Sequence, residues 1–339
     1  MTAIDNSLIR RALQELRRRL PLGWRATGQD GAAVAVTAPD RRTGVLVLQA
    51  RTRLAPKDVR PLVEGLPDKR ATPVVVAPFL TENTRARLWE RDVGYLDLTG
   101  NTKIVLPEPG LFIETQGAST DPTREERPAR SLRGPKAGRV VRALIELRSP
   151  PGVRELGALT KSDAGYVSRV LSFLDSEALI TRVGRGRIEG VDWAALLRRW
   201  AQEAPLESRG RLRTFLEPRG LSALQTRLAK LDAPYAITGS FAAATLAPLA
   251  PARLATIWVH DSDDVAARLA LRPADAGANV VLAEAVDDSV FDGTLQRDGL
   301  SYAAPAQVAV DLLTSPGRGP QEGEELIDWM KRNEDKWRR

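Results

Sequence analysis

One stretch of the sequence, residues 117–136, lacks apolar periodicity and separates parts of the chain that must fold around different cores. It reads GASTDPTREERPARSLRGPK, which is rich in glycine, proline, serine and charge, a composition typical of linkers. The chain has 339 residues, whereas a single core seldom grows beyond about 250 residues. We therefore expect two or three domains, with a linker over 121–136.

The composition excludes several classes of protein. Hydrophobic residues make up 43% of the chain and charged residues 27%, which excludes a wholly disordered chain. The absence of cysteine and the single histidine, His260, exclude disulfide scaffolds, cysteine-ligated metal centres and mechanisms that need two imidazoles. No apolar run approaches the roughly 18 residues of a membrane span, and the charged N-terminus does not resemble a signal peptide. We expect a cytoplasmic protein that does not bind membranes.

The N-terminal part, residues 1–120, alternates helix-like and strand-like patterns. Leu8, Ala12 and Leu16 recur at helical spacing in an opening amphipathic helix. Short β-like runs and two further helical segments follow it. The β-like runs lie at 32–37, 45–50, 72–78, 95–98, 103–106 and 111–115, and the helical segments at 56–65 and 81–92. This order predicts a mixed sheet covered by helices.

The central part carries the pattern of three helices followed by a β-hairpin. In the third helix, Val167, Val170, Leu171 and Leu174 have the i, i+3, i+4, i+7 spacing of a core-facing stripe. Two short β-like runs then flank Gly184-Arg185-Gly186, a tight-hairpin signal. This arrangement is typical of a winged helix-turn-helix. We predict this domain over 137–203, with a recognition helix at about 163–178 and a wing at 180–190.

The positive charge of the chain is concentrated in the same part. Residues 124–200 contain 16 basic and 9 acidic residues, an excess equal to the net charge of +7 of the whole chain. Such localisation is typical of a nucleic-acid-binding surface. We predict base contacts from the third helix and mainly phosphate contacts from the turn and the hairpin. The base-contact candidates are Tyr166, Ser168 and Arg169, and the other DNA-binding candidates are Lys161, Ser162, Arg182, Arg185 and Arg187. The alternative to DNA binding is a winged helix that binds another protein and whose basic face is only solvated.

Two other stretches carry a resemblance to a known family. GYLDLTGN at 94–101, followed by KIVLPEPGLFIE, resembles a stretch of actinobacterial regulators of the AbiEi antitoxin type. The pattern YAAPAQVAVDLLTSPGRG at 302–319 and the central winged helix extend this resemblance over most of the chain. It implies a winged helix that binds promoter DNA and represses its own operon, next to a nucleotidyltransferase-like toxin. The typical antitoxin has its winged helix at the N-terminus, whereas here it is central.

The N-terminal part is also similar to the restriction-endonuclease-like fold. In active members an aspartate opens one strand and Glu-x-Lys lies on the next, because two carboxylates hold Mg²⁺ while the lysine supports the attacking water. Asp40 matches the first position, but the second reads Gln49-Ala50-Arg51, with a neutral amide in place of the carboxylate. The resemblance therefore implies a degenerate domain over 1–120 without nuclease activity.

The C-terminal part, residues 208–339, is similar to a nucleotidyltransferase-like α/β domain through Thr238-Gly239-Ser240 and the strand-like run 254–259. Active members bind two metal ions through paired aspartates on that second strand. Here the strand leads into His260, and the acids Asp261, Asp263 and Asp264 lie beyond it. These acids are expected to cap the following helix rather than bind metal. We expect an inactive domain without metal or cofactor, with His260 at a strand end.

These observations predict a multidomain protein of α/β and α+β class that is not an enzyme. Its expected function is that of a sequence-specific transcriptional regulator that binds double-stranded DNA and associates with the nucleoid. The flanking domains would provide dimerisation or extra DNA contact, and a homodimer would recognise half-sites about 34 Å apart. Two alternatives stay open: a nucleic-acid-processing enzyme targeted by the winged helix, and an antitoxin-like protein that neutralises a partner toxin.

Overall fold

The computed structural model of the protein describes residues 6–28, 32–66, 71–122, 131–183 and 187–339. The fold is mixed α/β, and both large sheets combine parallel and antiparallel strands. The chain divides into two compact units, Met1–Arg127 with Ser176–Ala178 and Pro128–Asp175 with Leu179–Arg339. Within the described residues, no helix is both long and apolar enough to span a bilayer.

The first unit is built on a seven-stranded sheet whose strands lie side by side in chain order. The third, fourth and fifth strands are parallel and the other pairs antiparallel. The strands are β1 (Arg25–Gly28), β2 (Ala33–Thr37), β3 (Thr43–Ala50), β4 (Thr72–Ala77), β5 (Gly94–Asp97), β6 (Thr102–Leu106) and β7 (Leu111–Thr115), and the helices are α1 (Asn6–Arg19), α2 (Val59–Glu64) and α3 (Glu82–Trp89). The mixed sheet predicted for this part of the chain is confirmed.

Both faces of this sheet are buried, because successive strand residues point to opposite sides. On β4, Val74 and Val76 pack in one apolar cluster with Leu16 of α1. Val75 packs in a second cluster with Leu88 of α3. The continuous run TPVVVAP is therefore the signature of a strand that is buried on both faces.

The proposed match of Asp40 to a nuclease metal site is wrong. Asp40 lies in the turn between β2 and β3, where its carboxylate pairs with the Arg42 guanidinium at 2.7 Å. The β2–β3 pairing begins beside this turn, with Thr37 opposite Thr43. Gln49 is six residues further along β3 than Thr43, and at about 3.3 Å per residue the two positions are roughly 20 Å apart. Asp40 and Gln49 therefore cannot coordinate the same ion.

The second unit begins with three helices, a two-stranded hairpin and a further helix. These are α4 (Pro135–Glu146), α5 (Val153–Leu159), α6 (Ala164–Ser176), β8 (Ile180–Val183), β9 (Arg187–Val191) and α7 (Trp193–Glu203). Their order and approximate bounds agree with the helices and hairpin predicted from the sequence. The apolar stripes of α4 and α6 are fully buried in one core, for example Leu144 and Leu171 at 0% exposure.

The rest of the second unit is a seven-stranded sheet covered by helices. In space the strand order is β13-β10-β14-β12-β11-β16-β15. The strands are β10 (Gly210–Leu216), β11 (Tyr235–Thr238), β12 (Ala255–Val259), β13 (Arg272–Pro273), β14 (Val280–Ala285), β15 (Leu295–Arg297) and β16 (Leu300–Tyr302). The helices are α8 (Leu206–Arg209), α9 (Leu221–Leu228), α10 (Gly239–Ala243), α11 (Ser262–Arg268), α12 (Pro305–Leu313), α13 (Gly319–Arg332) and α14 (Glu334–Trp337).

The core of this unit continues without a break from the three helices into the C-terminal sheet. A single apolar cluster contains Leu144, Trp200, Trp258 and Leu326. Trp193 of α7 meets Trp337 edge to face, with ring centroids 5.0 Å apart. The separate domains predicted at 137–203 and 208–339 are thus packed together through a shared core.

Candidate nucleic-acid interface

The turn between α5 and α6 is a complete Schellman motif. Lys161 has a φ of 50°, the left-handed conformation that ends many helices. Its N–H donates to the Ala158 carbonyl at 3.3 Å, and the Ser162 N–H donates to the Gly157 carbonyl at 2.8 Å. A Cβ at Gly157 would lie 2.8 Å from the Ser162 carbonyl oxygen, so glycine permits this close turn. The turn leaves the Lys161 side chain exposed at the start of α6.

Asp163 fixes the first turn of α6. Its Oδ1 accepts a hydrogen bond from the Tyr166 N–H at 2.7 Å, which is the geometry of a helix N-cap. The predicted stripe of Val167, Val170, Leu171 and Leu174 is buried. Outside this stripe, Ala164, Gly165 and Arg169 are exposed. The N-terminal half of α6 is therefore capped and partly open to solvent.

The three base-contact candidates occupy this half of α6 with different exposure. Arg169 is exposed, whereas Tyr166 and Ser168 are half-buried. Burial raises the pKa of the Tyr166 hydroxyl, although the nearby Arg169 guanidinium opposes the shift. The hydroxyl therefore stays protonated at neutral pH and available as a hydrogen-bond donor. The Ser168 carbonyl accepts a hydrogen bond from the Ser172 hydroxyl at 2.8 Å.

The β8–β9 hairpin stands next to α6. Arg182 is half-buried, and its Nη1 lies 3.4 Å from the Ser172 Oγ on α6. The pairing shifts by one residue between Thr181 and Arg182, which leaves Glu189 as the extra residue of a bulge and increases the local twist. Arg187 is exposed, while Arg185, the predicted tip residue, lies outside the described residues.

Some of the basic residues in the central part of the chain form ion pairs within the protein. Four arginines are paired with carboxylates in this way. The pairs are Arg139–Asp287, Arg142–Glu146, Arg198–Glu324 and Arg199–Glu203. By contrast, Lys161, Arg169 and Arg187 form no ion pair with any described residue. Unpaired positive charge therefore lies on the turn, α6 and the hairpin, the elements selected from the sequence. It is not confined to them, because Arg133, Lys136 and Arg154 are also exposed and form no ion pair with any described residue.

The acidic cluster after β12 is a helix cap, as the capping interpretation predicts. Asp261 Oδ1 accepts hydrogen bonds from the N–H groups of Asp263 and Asp264, both at 2.9 Å. Asp263 pairs with Arg213, and Asp264 with Arg268. His260 lies at the strand end with its ring against Phe291, 4.5 Å between centroids. In the described parts of the chain, no group of three or more acidic or histidine side chains is arranged to hold a metal ion.

The stretches 94–101 and 302–319 each contain a buried carboxylate that accepts several hydrogen bonds. The sequence alone did not reveal this structural role. Asp97, in the GYLDLTGN stretch, is fully buried and accepts five hydrogen bonds, from Leu80, Thr99 and Asn101. Asp311, in the C-terminal stretch, accepts hydrogen bonds from Thr238, Gln307 and Trp258 and pairs with Arg209. In both stretches, the carboxylate therefore stabilises the fold by accepting hydrogen bonds from neighbouring segments.

Comparison of the chain with protein-family models, with curated proteins and with solved structures gave no match.

Proposed function

We propose that the chain is a sequence-specific regulator that binds double-stranded DNA through a winged helix-turn-helix over 137–203. In this proposal α6 is the recognition helix and the β8–β9 hairpin is the wing. One observation carries the proposal. The N-terminal half of α6 is exposed, carries Arg169, and stands beside a hairpin with the exposed Arg187.

The dimensions and chemistry of this surface suit a DNA groove. α6 has 13 residues, a length of about 20 Å, and the major groove is about 12 Å wide and accepts a helix. Arg169 has the geometry to donate two hydrogen bonds to guanine, and the Tyr166 and Ser168 hydroxyls offer further donors. Lys161 and Arg187 would contact phosphates.

The same proposal assigns the flanking parts a supporting role. We propose that residues 1–120 are a degenerate restriction-endonuclease-like domain, since Asp40 and Gln49 are too far apart for a shared metal. Residues 208–339 would be an inactive nucleotidyltransferase-like domain, since Asp261 is engaged as a helix cap. No feature of the described residues favours the antitoxin or enzyme alternative.

Selection of bound duplexes from a random pool, followed by binding measurements on the selected site, tests the proposal. Arg169→Ala should lose preference at one base position, at a cost of about 1–3 kcal/mol. Arg187→Ala should instead weaken binding to all duplexes similarly and lower the slope of log affinity against log salt by about one. The proposal fails if the wild-type protein enriches no sequence, or if both variants bind as the wild type does.

We further propose that the protein is a homodimer. Val105 and Phe112 pair across β6 and β7 at the edge of the first sheet, and Phe112 is 58% exposed, which leaves an apolar pair available to a second copy. Sedimentation should give a dimer with and without duplex. A monomer under both conditions would contradict this part of the proposal.

A further inference from the structure

A small cavity lies within the second unit, between the three-helix part and the C-terminal sheet. It has a volume of about 50 Å³, enough for about four water molecules or one group of similar size. It is lined by Gly134 and Gly138 of the α4 region and by Trp200 of α7. Arg209 and Gln307 also line it.

Two buried N–H groups of the lining residues have no partner among the residues that the structure describes. Trp200 is 3% exposed, and its Nε1 forms no hydrogen bond within the described chain. The Arg209 guanidinium lies over the rings of Trp200 and Trp258, at 5.4 and 5.8 Å from their centroids. Its Nε donates to the Ala204 carbonyl and one Nη pairs with Asp311, but Nη1 has no partner among the described residues. A buried donor without an acceptor costs about 1–3 kcal/mol, so these two groups call for an acceptor.

The N-terminal end of α4 is a third feature of the cavity that favours the binding of an anion. This helix has 12 residues, its N-cap Gly134 has no capping side chain, and its first turn contains no acidic residue. Pro135 at the start of the helix has no N–H, and the Gly138 N–H donates to the Gly134 carbonyl. The N–H groups that remain at this end are those of Lys136 and Ala137, together with the partial positive charge of the helix terminus. The one acidic residue in the cavity wall, Asp287, already pairs with Arg139 at 2.5 Å. Trp200 and Arg209 therefore line a cavity whose acidic residue is compensated by an ion pair.

We propose that this cavity binds one small oxyanion, the carboxylate or phosphate group of an effector molecule. The oxyanion would accept hydrogen bonds from Trp200 Nε1 and Arg209 Nη1, next to the start of α4. The volume limits the buried group to about the size of phosphate or formate, so any larger part of the effector extends out of the cavity.

The position of the site links it to the proposed recognition helix. Arg139 pairs with Asp287 in the cavity wall, and its Nε also donates to the Thr160 carbonyl at 3.0 Å. Thr160 is the residue before Lys161 in the α5–α6 turn. An oxyanion beside Asp287 would compete for Arg139 and change the support of this turn. This regulatory part of the inference rests on the proposed DNA binding, whereas the oxyanion site does not.

The test of the site uses the seven tryptophan indole N–H signals of the ¹⁵N-labelled full-length protein. Trp200→Phe removes one signal and thereby assigns it. Sodium phosphate or sodium formate should shift that signal saturably in the wild-type protein, and sodium chloride at equal ionic strength should not. A phosphate response with no formate response identifies the phosphate group, and the reverse identifies a carboxylate. No shift with either oxyanion, or an equal shift with chloride, overturns the site.

A matched pair of variants on α7 sharpens this test. Trp200→Phe keeps an aromatic ring but removes the free donor, and oxyanion affinity, measured by calorimetry, should fall about tenfold or more. Trp193→Phe removes an N–H that is already bonded to Glu334 at 2.6 Å, and the affinity should stay within about twofold of wild type. If Trp200→Phe does not fold, Gly138→Ala applies the same calorimetric test, because its methyl group would lie 3.3 Å from the Trp200 ring and narrow the cavity. Unchanged affinity in the tested variant contradicts the proposal.

The regulatory part is tested separately with the double variant Arg139→Met/Asp287→Asn, which removes the ion pair without leaving an uncompensated carboxylate in the cavity wall. The bound oxyanion should change the duplex affinity of the wild-type protein severalfold, and the double variant should bind the oxyanion but lose this change. If the indole signal responds while duplex affinity stays constant, the site stands and the regulation is wrong. If no duplex is bound at all, the proposed function fails while the indole titration still decides the site.

Discussion

Lys161 combines an unfavourable backbone conformation with an exposed positive charge. A left-handed conformation costs a residue with a Cβ about 1 kcal/mol, whereas glycine adopts it freely. The side chain forms no ion pair with any described residue, so the fold gains no ionic contact from a lysine here. An exposed positive charge at this turn is what a phosphate contact at the start of a recognition helix requires.

Lys161→Gly should therefore separate folding from binding. We expect the free energy of unfolding to rise by up to about 1 kcal/mol, while the salt slope of duplex binding falls by about one. Ala178→Gly is the matched control, because Ala178 has a φ of 54° and carries no charge. Urea unfolding and salt titrations of both variants provide the measurement. Duplex binding of Lys161→Gly that equals wild type would remove this residue from the interface.

A substitution of Asp97 tests whether the GYLDLTGN stretch has a structural role. Its five hydrogen bonds close the turn between β5 and β6 and tie it to Leu80. Asp97→Ala leaves several buried donors without an acceptor, so unfolding should become easier by about 3 kcal/mol or more. Glu90→Ala, which changes an exposed carboxylate, should cost under about 0.5 kcal/mol. If Asp97→Ala keeps its stability but loses duplex binding, the stretch has a binding role instead.

At the scale of elements, the α6 N-cap places a negative charge where DNA would approach. Asparagine caps a helix about as well as aspartate, so Asp163→Asn should leave stability within about 0.5 kcal/mol. Without the carboxylate, repulsion from phosphates falls and duplex affinity should rise at low salt. Asp163→Ala also removes the cap and should cost about 1 kcal/mol. Weaker duplex binding by Asp163→Asn would show that the carboxylate contacts DNA directly.

The contact between α4 and the segment after β14 should depend on pH. Burial alone would raise the pKa of Asp287, but hydrogen bonds from Ser289 and the Arg139 guanidinium outweigh burial and lower it. A carboxylate whose folded-state pKa is lowered stabilises the fold above the unfolded value of about 3.9, and this stabilisation is lost as pH falls through the folded pKa. From pH 5 to pH 2.5, the wild-type protein should lose more stability than Asp287→Asn in urea unfolding. Equal losses of stability in the two proteins would show that Asp287 is not the source of this pH dependence.

The elements of the proposed interface were predictable because their patterns are local. The stripe of Val167, Val170, Leu171 and Leu174 specifies a helix face, and the glycines after Val183 specify a hairpin. The ion pairs were not predictable, since Arg139 and Asp287 are 148 residues apart in sequence. Because such ion pairs cannot be read from the sequence, the count of basic residues in 124–200 overestimated the positive charge that is available at the surface. Asp40 was misassigned because a Pro-Asp turn and a strand-opening aspartate look alike without the sheet register.

At the scale of the whole molecule, the second unit presents the proposed interface on a single large core. The C-terminal residues contribute to it directly, since Arg338 donates to the carbonyls of Ile145 and Leu147 at the end of α4. These contacts satisfy carbonyls that a helix end otherwise leaves free. α4, which shares an apolar core with the proposed recognition helix α6, is thus supported by residues far away in the sequence, which favours a rigid interface over one that orders on binding.

Hydrogen exchange of the full-length protein, with and without a selected duplex, tests the central claim most directly. If α6 and the β8–β9 hairpin bind DNA, the duplex should slow amide exchange in peptides that cover 161–172 and 180–191. Peptides from β10 to β14 should exchange at unchanged rates. Protection confined to residues 1–120 or 208–339, with none in α6, would contradict the account.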